Sequence, residues 1–284
     1  YASSLDQIGT FARTTEDTAA LLQVLAGHDP LDTTSIDEPI QEYGSFVGRD
    51  VNGMKIGLVR QMIGDGVDPE VAASVRAAAD RLAAAGAEVL DLDLPILDRT
   101  LSAYYLVAAA EASSNLARYD GVRYGLRVQA PTTPEMMLAT RTRGFGAEVK
   151  RRIMLGTYVL SAGYYEAYYL RAQRVRTLIR RDFEAVFKEV DLVATPVSPT
   201  VAFKLGEKTA DPLAMYLADV YTLPASLAGI PAISVPCGLS SGDRPLPIGL
   251  QLIGPSLSEA RLFTAAHAWE QISPVRDARP PRGS

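Results

Sequence analysis

Cysteine, histidine and tryptophan are scarce in this 284-residue chain, which has one Cys, two His and one Trp. A single cysteine, Cys237, excludes an intrachain disulfide and any cysteine cluster around a metal. His28 and His267 stand far apart, each without a partner at ligand spacing, so both read as structural or surface residues and not as a zinc or iron site. No apolar run reaches the ~18 residues of a membrane span. No signal peptide pattern opens the sequence, and a cytoplasmic location is expected. An excess of positive charge is missing too. Lys and Arg number 28 against 33 Asp and Glu, a net charge of −5, which speaks against a general nucleic-acid surface. There is no glycine-rich phosphate loop of Walker or dinucleotide type and no G-x-S-x-G elbow. Ser113 and Ser114 have no His or Lys at motif spacing. Spacing alone therefore assembles no complete catalytic set.

What is present is ordinary globular composition, 48% hydrophobic and 21% charged, enough for one large α/β domain or two smaller ones. The dominant helical stretch runs from Phe145 to Phe187. Gly156 and Gly163 are expected to break it into a short helix over 145–155 and a long one over 158–188. In the long part Tyr165, Tyr168, Ala172, Val175, Ile179, Phe183 and Val186 recur at three- and four-residue spacing, an apolar stripe. Arg171, Arg174, Arg176, Arg180 and Arg181 fill most of the rest and read as a solvated basic face. Lys150, Arg151 and Arg152 end the short helix, where a guanidinium can turn toward a cleft.

In chain order, Thr14 or Thr15 caps a helix that carries Ala19, Leu22 and Leu25 and stops at Gly27. Lys55–Val59 is a buried strand. Asp68 and Pro69 open an alanine-rich helix ended by Gly86. Glu88–Leu92 is the next strand, so this segment is a parallel βαβ unit. Helices follow over 99–118 and 135–141. Residues 191–195 form a short strand that stops in prolines, a place where α/β folds seat ligands. Residues 211–227 are expected to be helical. Strands over 229–236 and 247–253 make a hairpin, and 258–271 is the last helix. The fold class is α/β, a mixed open sheet flanked by helices.

Several segments resemble the amidase signature family, and within it the A-subunit branch of the aspartyl/glutamyl-tRNA amidotransferases. They are SSLDQIGTFART near the start, EASSNLARYDGVRYG over 111–125 and EVKRRIMLGTYVLSAGYYEAYYLRAQRVRTLI over 148–179. DLVATPVSPTVAF, DPLAMYLADVYT, SLAGIPAISVPCG and PIGLQLIG follow in the family's order. EVKRRIMLGT and GYYEAYY are particular to that branch; GIPAISVP and PIGLQLIG are shared more widely by amidases. The resemblance covers nearly the whole chain and implies one amidase domain, of which 1–284 is the C-terminal part. The family's Ser–cis-Ser–Lys triad precedes SSLDQIG, so the resemblance places it upstream of Tyr1. The chain itself opens in mid-phrase without a methionine. Residues 1–284 alone are accordingly expected to be inactive.

The resemblance also implies the substrate contacts. A glutamine whose side-chain amide is to be attacked must be held by its α-carboxylate and α-ammonium. A carboxylate calls for a guanidinium fork, and an ammonium calls for a carboxylate. The arginine of KRRI falls at Arg152, with Arg151 as the alternative, and the aspartate of MYLAD falls at Asp219. A substrate-lining tyrosine falls in SAYYL, at Tyr104 or otherwise Tyr105. The plainer readings are an ion pair to the helix for Arg152, a solvated helix residue for Asp219 and core packing for Tyr104. No cofactor or metal is implied for the A-type chain itself. The implied partners are the B and C subunits of the amidotransferase. The B partner would use ATP and magnesium to amidate misacylated tRNA, and the small C partner would wrap the A chain. A different amide hydrolase of the same family and a non-catalytic binding domain are the competing readings.

Overall fold

The computed structural model describes residues 1–209 and 212–280. The described residues form two compact units, one of Tyr1–Gln7 with Asp98–Ile179, the other of Ile8–Leu97 with the described part of 180–284.

The second unit is built on a five-stranded mixed sheet. Strands β1 (Lys55–Val59), β2 (Glu88–Leu92), β3 (Leu192–Pro196), β4 (Ala232–Leu239) and β5 (Pro247–Ile253) lie in the order β2-β1-β3-β5-β4. β1 runs parallel to β2 and β3, and β5 runs antiparallel to β3 and β4. The expected βαβ unit is therefore present, and so is the β4–β5 hairpin. Its crossover helix α2 (Pro69–Ala84) starts as its sequence dictates: Asp68 accepts from Glu70 N at 2.9 Å, and proline occupies the first turn. Helix α1 (Thr15–Leu25) is capped by Thr14, which settles the choice between the two threonines.

Alternation along the strands sends Ile56, Leu58, Leu192, Ala194, Ile248, Leu250 and Leu252 into one core. There they meet Val71, Val75 and Leu82 of α2, and Leu262, Ala266 and Trp269 of α9 (Glu259–Ile272). Trp269 is 1% exposed and its indole N–H donates to the Pro236 carbonyl at 2.9 Å. A smaller cluster, Ala19, Tyr43, Ala260 and Phe263, joins α1 to α9.

The first unit is helical. It contains α3 (Thr100–Asn115), α4 (Thr133–Gly144), α5 (Ala147–Val159), a π-helical turn over Tyr165–Tyr169 and the start of α6 (Leu170–Val186). α4 opens with a reciprocal capping box between Thr132 and Glu135.

Two expectations are corrected here. Gly156 does not break the stretch after residue 155; it lies inside α5, which runs on to Val159. A Cβ at 156 would fall onto the Ala109 carbonyl oxygen and within 2.8 Å of Ser113 Cβ, so the glycine serves close approach of α5 to α3. The interruption comes later, through Gly163 at φ +83° and the π turn, in which Tyr165 and Tyr168 are exposed. The apolar stripe proper begins at Ala172 and continues through Ile179 and Phe183, all buried.

The stretch expected to be helical over 211–227 is two short helices, α7 (Pro212–Leu217) and α8 (Leu223–Ala228), joined by a turn. Asp211 lies outside the described residues. The turn exists because the Asp219 carbonyl accepts from Thr222 Oγ1 (3.0 Å), Thr222 N (3.1 Å) and Leu223 N (3.3 Å), closing short loops in place of a continuous helical ladder.

Candidate functional site

Three consecutive cations end the first half of α5, and helical geometry turns each about 100° from the last. Lys150 Nζ is taken by the Thr142 carbonyl at 2.6 Å. Arg151 points outward, its side chain 57% exposed, and donates to Glu148 at 2.8 Å. Arg152 points inward, its side chain 15% exposed. Its Nε donates to the other oxygen of Glu148 at 2.8 Å. Its guanidinium lies over the ring of Tyr105, 4.7 Å from the centroid. Its Nη1 stands 3.5 Å from the phenol oxygen of Tyr1.

Tyr104 and Tyr105 meet edge to face with centroids 5.2 Å apart. Tyr104 therefore borders the arginine through its neighbour, and it is Tyr105 that stacks on the cation. The Tyr1 phenol is pushed above its usual pKa by burial, an effect that the nearby Arg152 cation partly offsets. It is a neutral hydroxyl at physiological pH.

Residues 1–7 are tied to the helices by a second group of polar contacts. The amide and hydroxyl of Ser4 donate to the two oxygens of Glu111 at 2.9 and 2.5 Å. Arg176 donates to the Ser4 hydroxyl at 2.6 Å and to its carbonyl at 2.7 Å. Asn115 donates to the Tyr1 carbonyl at 3.1 Å. Arg176 thus departs from the solvated basic face expected for α6. Glu111 and Tyr1 were not distinguishable in the sequence as members of this group, since more than 100 residues separate the partners. Glu148 was distinguishable in principle, because a glutamate four residues before an arginine on a helix is a pairing signal.

Asp219 sits in the turn between α7 and α8 and is exposed. Also in the sheet unit, the amide of Gln251 reaches from β5 to the hydroxyl of Thr195 on β3 and to the Tyr221 carbonyl, both at 2.9 Å. Arg152, Tyr104 and Tyr105 belong to the helical unit and Asp219 to the sheet unit. Among the described residues no three His, Cys, Asp or Glu side chains converge to hold a metal ion, and no helix is long and apolar enough to cross a membrane.

A mixed open sheet flanked by helices, carrying GIPAISVP and PIGLQLIG on its antiparallel strands, is amidase architecture. The chain belongs to the amidase family, whose sequence profile matches residues 1–263. Within that family it is 58% identical over 283 residues to the A subunit of the glutamyl-tRNA(Gln) amidotransferase of Moorella thermoacetica, a match covering 100% of this chain and 58% of that protein. It is 54% identical to the corresponding protein of the same name from Microcystis aeruginosa, covering 99% of this chain and 58% of the relative. Among solved structures it superposes on the glutamyl-tRNA(Gln) amidotransferase A subunit from Thermotoga maritima with a TM-score of 0.77 at 38% identity, over 96% of this chain and 54% of that one. The chain spans a little over half the length of the relatives it matches.

Proposed function

We propose that this chain is the glutamine-recognising part of a glutaminase, the A subunit of a tRNA-dependent amidotransferase. The whole protein would hydrolyse glutamine to glutamate and deliver the ammonia that converts Glu-tRNA(Gln) to Gln-tRNA(Gln), and Asp-tRNA(Asn) to Asn-tRNA(Asn), in the cytoplasm. The observation that carries the reading is Arg152: of the two candidate arginines it is the one turned inward, held at Nε by Glu148 and stacked on Tyr105. A guanidinium held in this way suits a planar carboxylate, because its orientation is set before the ligand arrives.

In this reading Arg152 receives the α-carboxylate of glutamine, Asp219 receives the α-ammonium, and Tyr104 with Tyr105 lines the substrate. The serine nucleophile, cis-serine and lysine come from sequence outside residues 1–284. The nucleophile attacks the side-chain amide carbon, the lysine and cis-serine pass the proton to the leaving nitrogen, ammonia departs, and water releases glutamate from the acyl-enzyme. The glutaminase uses no cofactor of its own; the B partner consumes ATP with magnesium, and the C partner stabilises the assembly.

A charge-assisted carboxylate contact is worth about 1.5–3 kcal/mol, and each ~1.4 kcal/mol is a factor of ten. Arg152→Ala in the full-length protein is therefore expected to lower kcat/KM for glutamine about 10- to 100-fold. Arg152→Lys is expected to restore only part of it, because an ammonium makes no fork. Steady-state ammonia release measures both. Unchanged glutamine use in Arg152→Ala, with a loss in Arg151→Ala, would move the role to Arg151.

A further inference from the structure

We propose that Gln251 is a positioning residue for Asp219, and through it a determinant of selectivity for substrates that carry an α-ammonium group. The proposal rests on the role given to Asp219 above.

β5 reads P-I-G-L-Q-L-I, and Ile248, Leu250 and Leu252 go into the core beneath α2 and α9. Gln251, between them, faces the opposite side of the sheet, directly across from Thr195 in the antiparallel register. It is 5% exposed and Thr195 is 1% exposed. An amide buried in the middle of a sheet is costly unless its polar atoms are bonded, so an apolar side chain would serve a purely structural strand better.

The amide's bonds show where its two N–H groups are used. Nε2 donates to the Thr195 hydroxyl at 2.9 Å, and that hydroxyl donates on to the Pro196 carbonyl at 3.0 Å. This half of the network stays within the sheet. The other N–H leaves the sheet and donates to the carbonyl of Tyr221 at 2.9 Å.

Tyr221 lies two residues beyond Asp219 in the same closed turn. The Asp219 carbonyl accepts from Thr222 N, Thr222 Oγ1 and Leu223 N, so residues 219–223 are tied into one hydrogen-bonded turn. Tyr221 is itself 7% exposed, and burial pushes its phenol above the usual pKa. Gln251 thus clips the turn that carries the exposed Asp219 to the central strand pair of the sheet. A carboxylate that must meet an ammonium at a fixed place depends on such a clip, since a displacement of about 1 Å at a binding group is enough to lose much of its effect.

The test uses the full-length protein and two substrates scored for ammonia release: glutamine and 4-carbamoylbutanoate, which is glutamine without its α-amino group. The readout is the ratio of their kcat/KM values, which does not depend on the fraction of folded enzyme in a preparation. Gln251→Met keeps the bulk and removes the donor. It is expected to lower the ratio about tenfold, through KM for glutamine and not through kcat. Thr195→Val disturbs the same buried network but leaves the Tyr221 bond, and is expected to hold the ratio within twofold. In an Asp219→Asn background, Gln251→Met is expected to change the ratio no further, because both act through one carboxylate. Should Gln251→Met not fold, Gln251→Asn, whose amide stops a methylene short of Tyr221, takes its place. An unchanged ratio in the Gln251 variant, while Asp219→Asn lowers it, overturns the proposal. An equal fall in Thr195→Val also overturns it. If Asp219→Asn leaves the ratio unchanged, the role of Asp219 fails first and this proposal with it.

Discussion

Arg152 and Arg151 differ by one position and by one turn of about 100°, and that is what separates their surroundings. Both pair with Glu148, yet the exposed Arg151–Glu148 pair is of a kind worth only a few tenths of a kcal/mol. Arg151→Ala is therefore expected to leave both the melting temperature and KM for glutamine nearly unchanged, in contrast to Arg152→Ala. Cys237 shows how burial alone sets chemistry at a residue. Its side chain is 4% exposed, and desolvation pushes the thiol pKa up to about 12. The thiolate is the reactive form, so the native protein is expected to resist thiol reagents at pH 8 and to react once unfolded in denaturant. The sign of the stability effect follows from the same shift. The folded-state value is raised, so the neutral thiol's contribution is intact below about pH 9. It is lost as the pH climbs from about 9 toward 12, where the unfolded chain ionises first, by about 1.4 kcal/mol per pH unit. A pH series of urea midpoints on the wild type and Cys237→Ala measures it; the variant should fall less steeply over that window.

At the scale of elements, the contact between α3 and α5 is set by one missing side chain. Gly156→Ala improves helix propensity by about 1 kcal/mol but drives a methyl into the Ala109 peptide. Backbone cannot step aside as a flexible side-chain end can, and overpacking of this kind costs about 1–3 kcal/mol. We expect net destabilisation, read as a lower urea midpoint. Gly163 offers the contrast. No atom lies within 4 Å of a Cβ placed there, yet its φ is +83°, so Gly163→Ala should cost roughly 1 kcal/mol from backbone strain alone. The two glycines lie close together in one helical-looking stretch. One is required by a neighbour and the other by its own dihedral angle.

At the scale of the whole molecule, glutamine hydrolysis and the use of its ammonia are separate steps of the proposed reaction. In the proposed reading, Arg152→Ala and Asp219→Asn would act on the glutamine end and not on the transfer of ammonia to tRNA. In the assembled amidotransferase, both variants are expected to lose glutamine-dependent amidation while ammonium salts still support amidation at close to the wild-type rate. Equal loss of both activities would instead assign these residues to the fold or to an interface with a partner protein.

The sequence by itself determined the elements whose causes are local. Asp68 with Pro69 opened α2, a threonine at 14 or 15 capped α1, and the strands KIGLV and PIGLQLI announced themselves by β-branched and aliphatic runs between turn residues. The parallel βαβ unit and the closing hairpin followed from their order, and the phrases EVKRRI and MYLAD located the candidate residues. Only the tertiary structure decided what depends on distant partners. It selected Tyr105 over Tyr104 as the ring under Arg152, because which face of α3 meets α5 is set by packing between helices and not by the SAYYL motif. It turned Gly156 from a helix breaker into a point of contact, since Ala109 is invisible from residue 156 along the chain. It drew Arg176 out of a basic face and onto Ser4, 172 residues away. And it showed that Gln251, one polar letter in an apolar strand, holds the carbonyl of a turn 30 residues upstream. Propensity and capping act over a few residues and can be read in sequence; hydrogen bonds and close approach between elements exist only once the chain has folded.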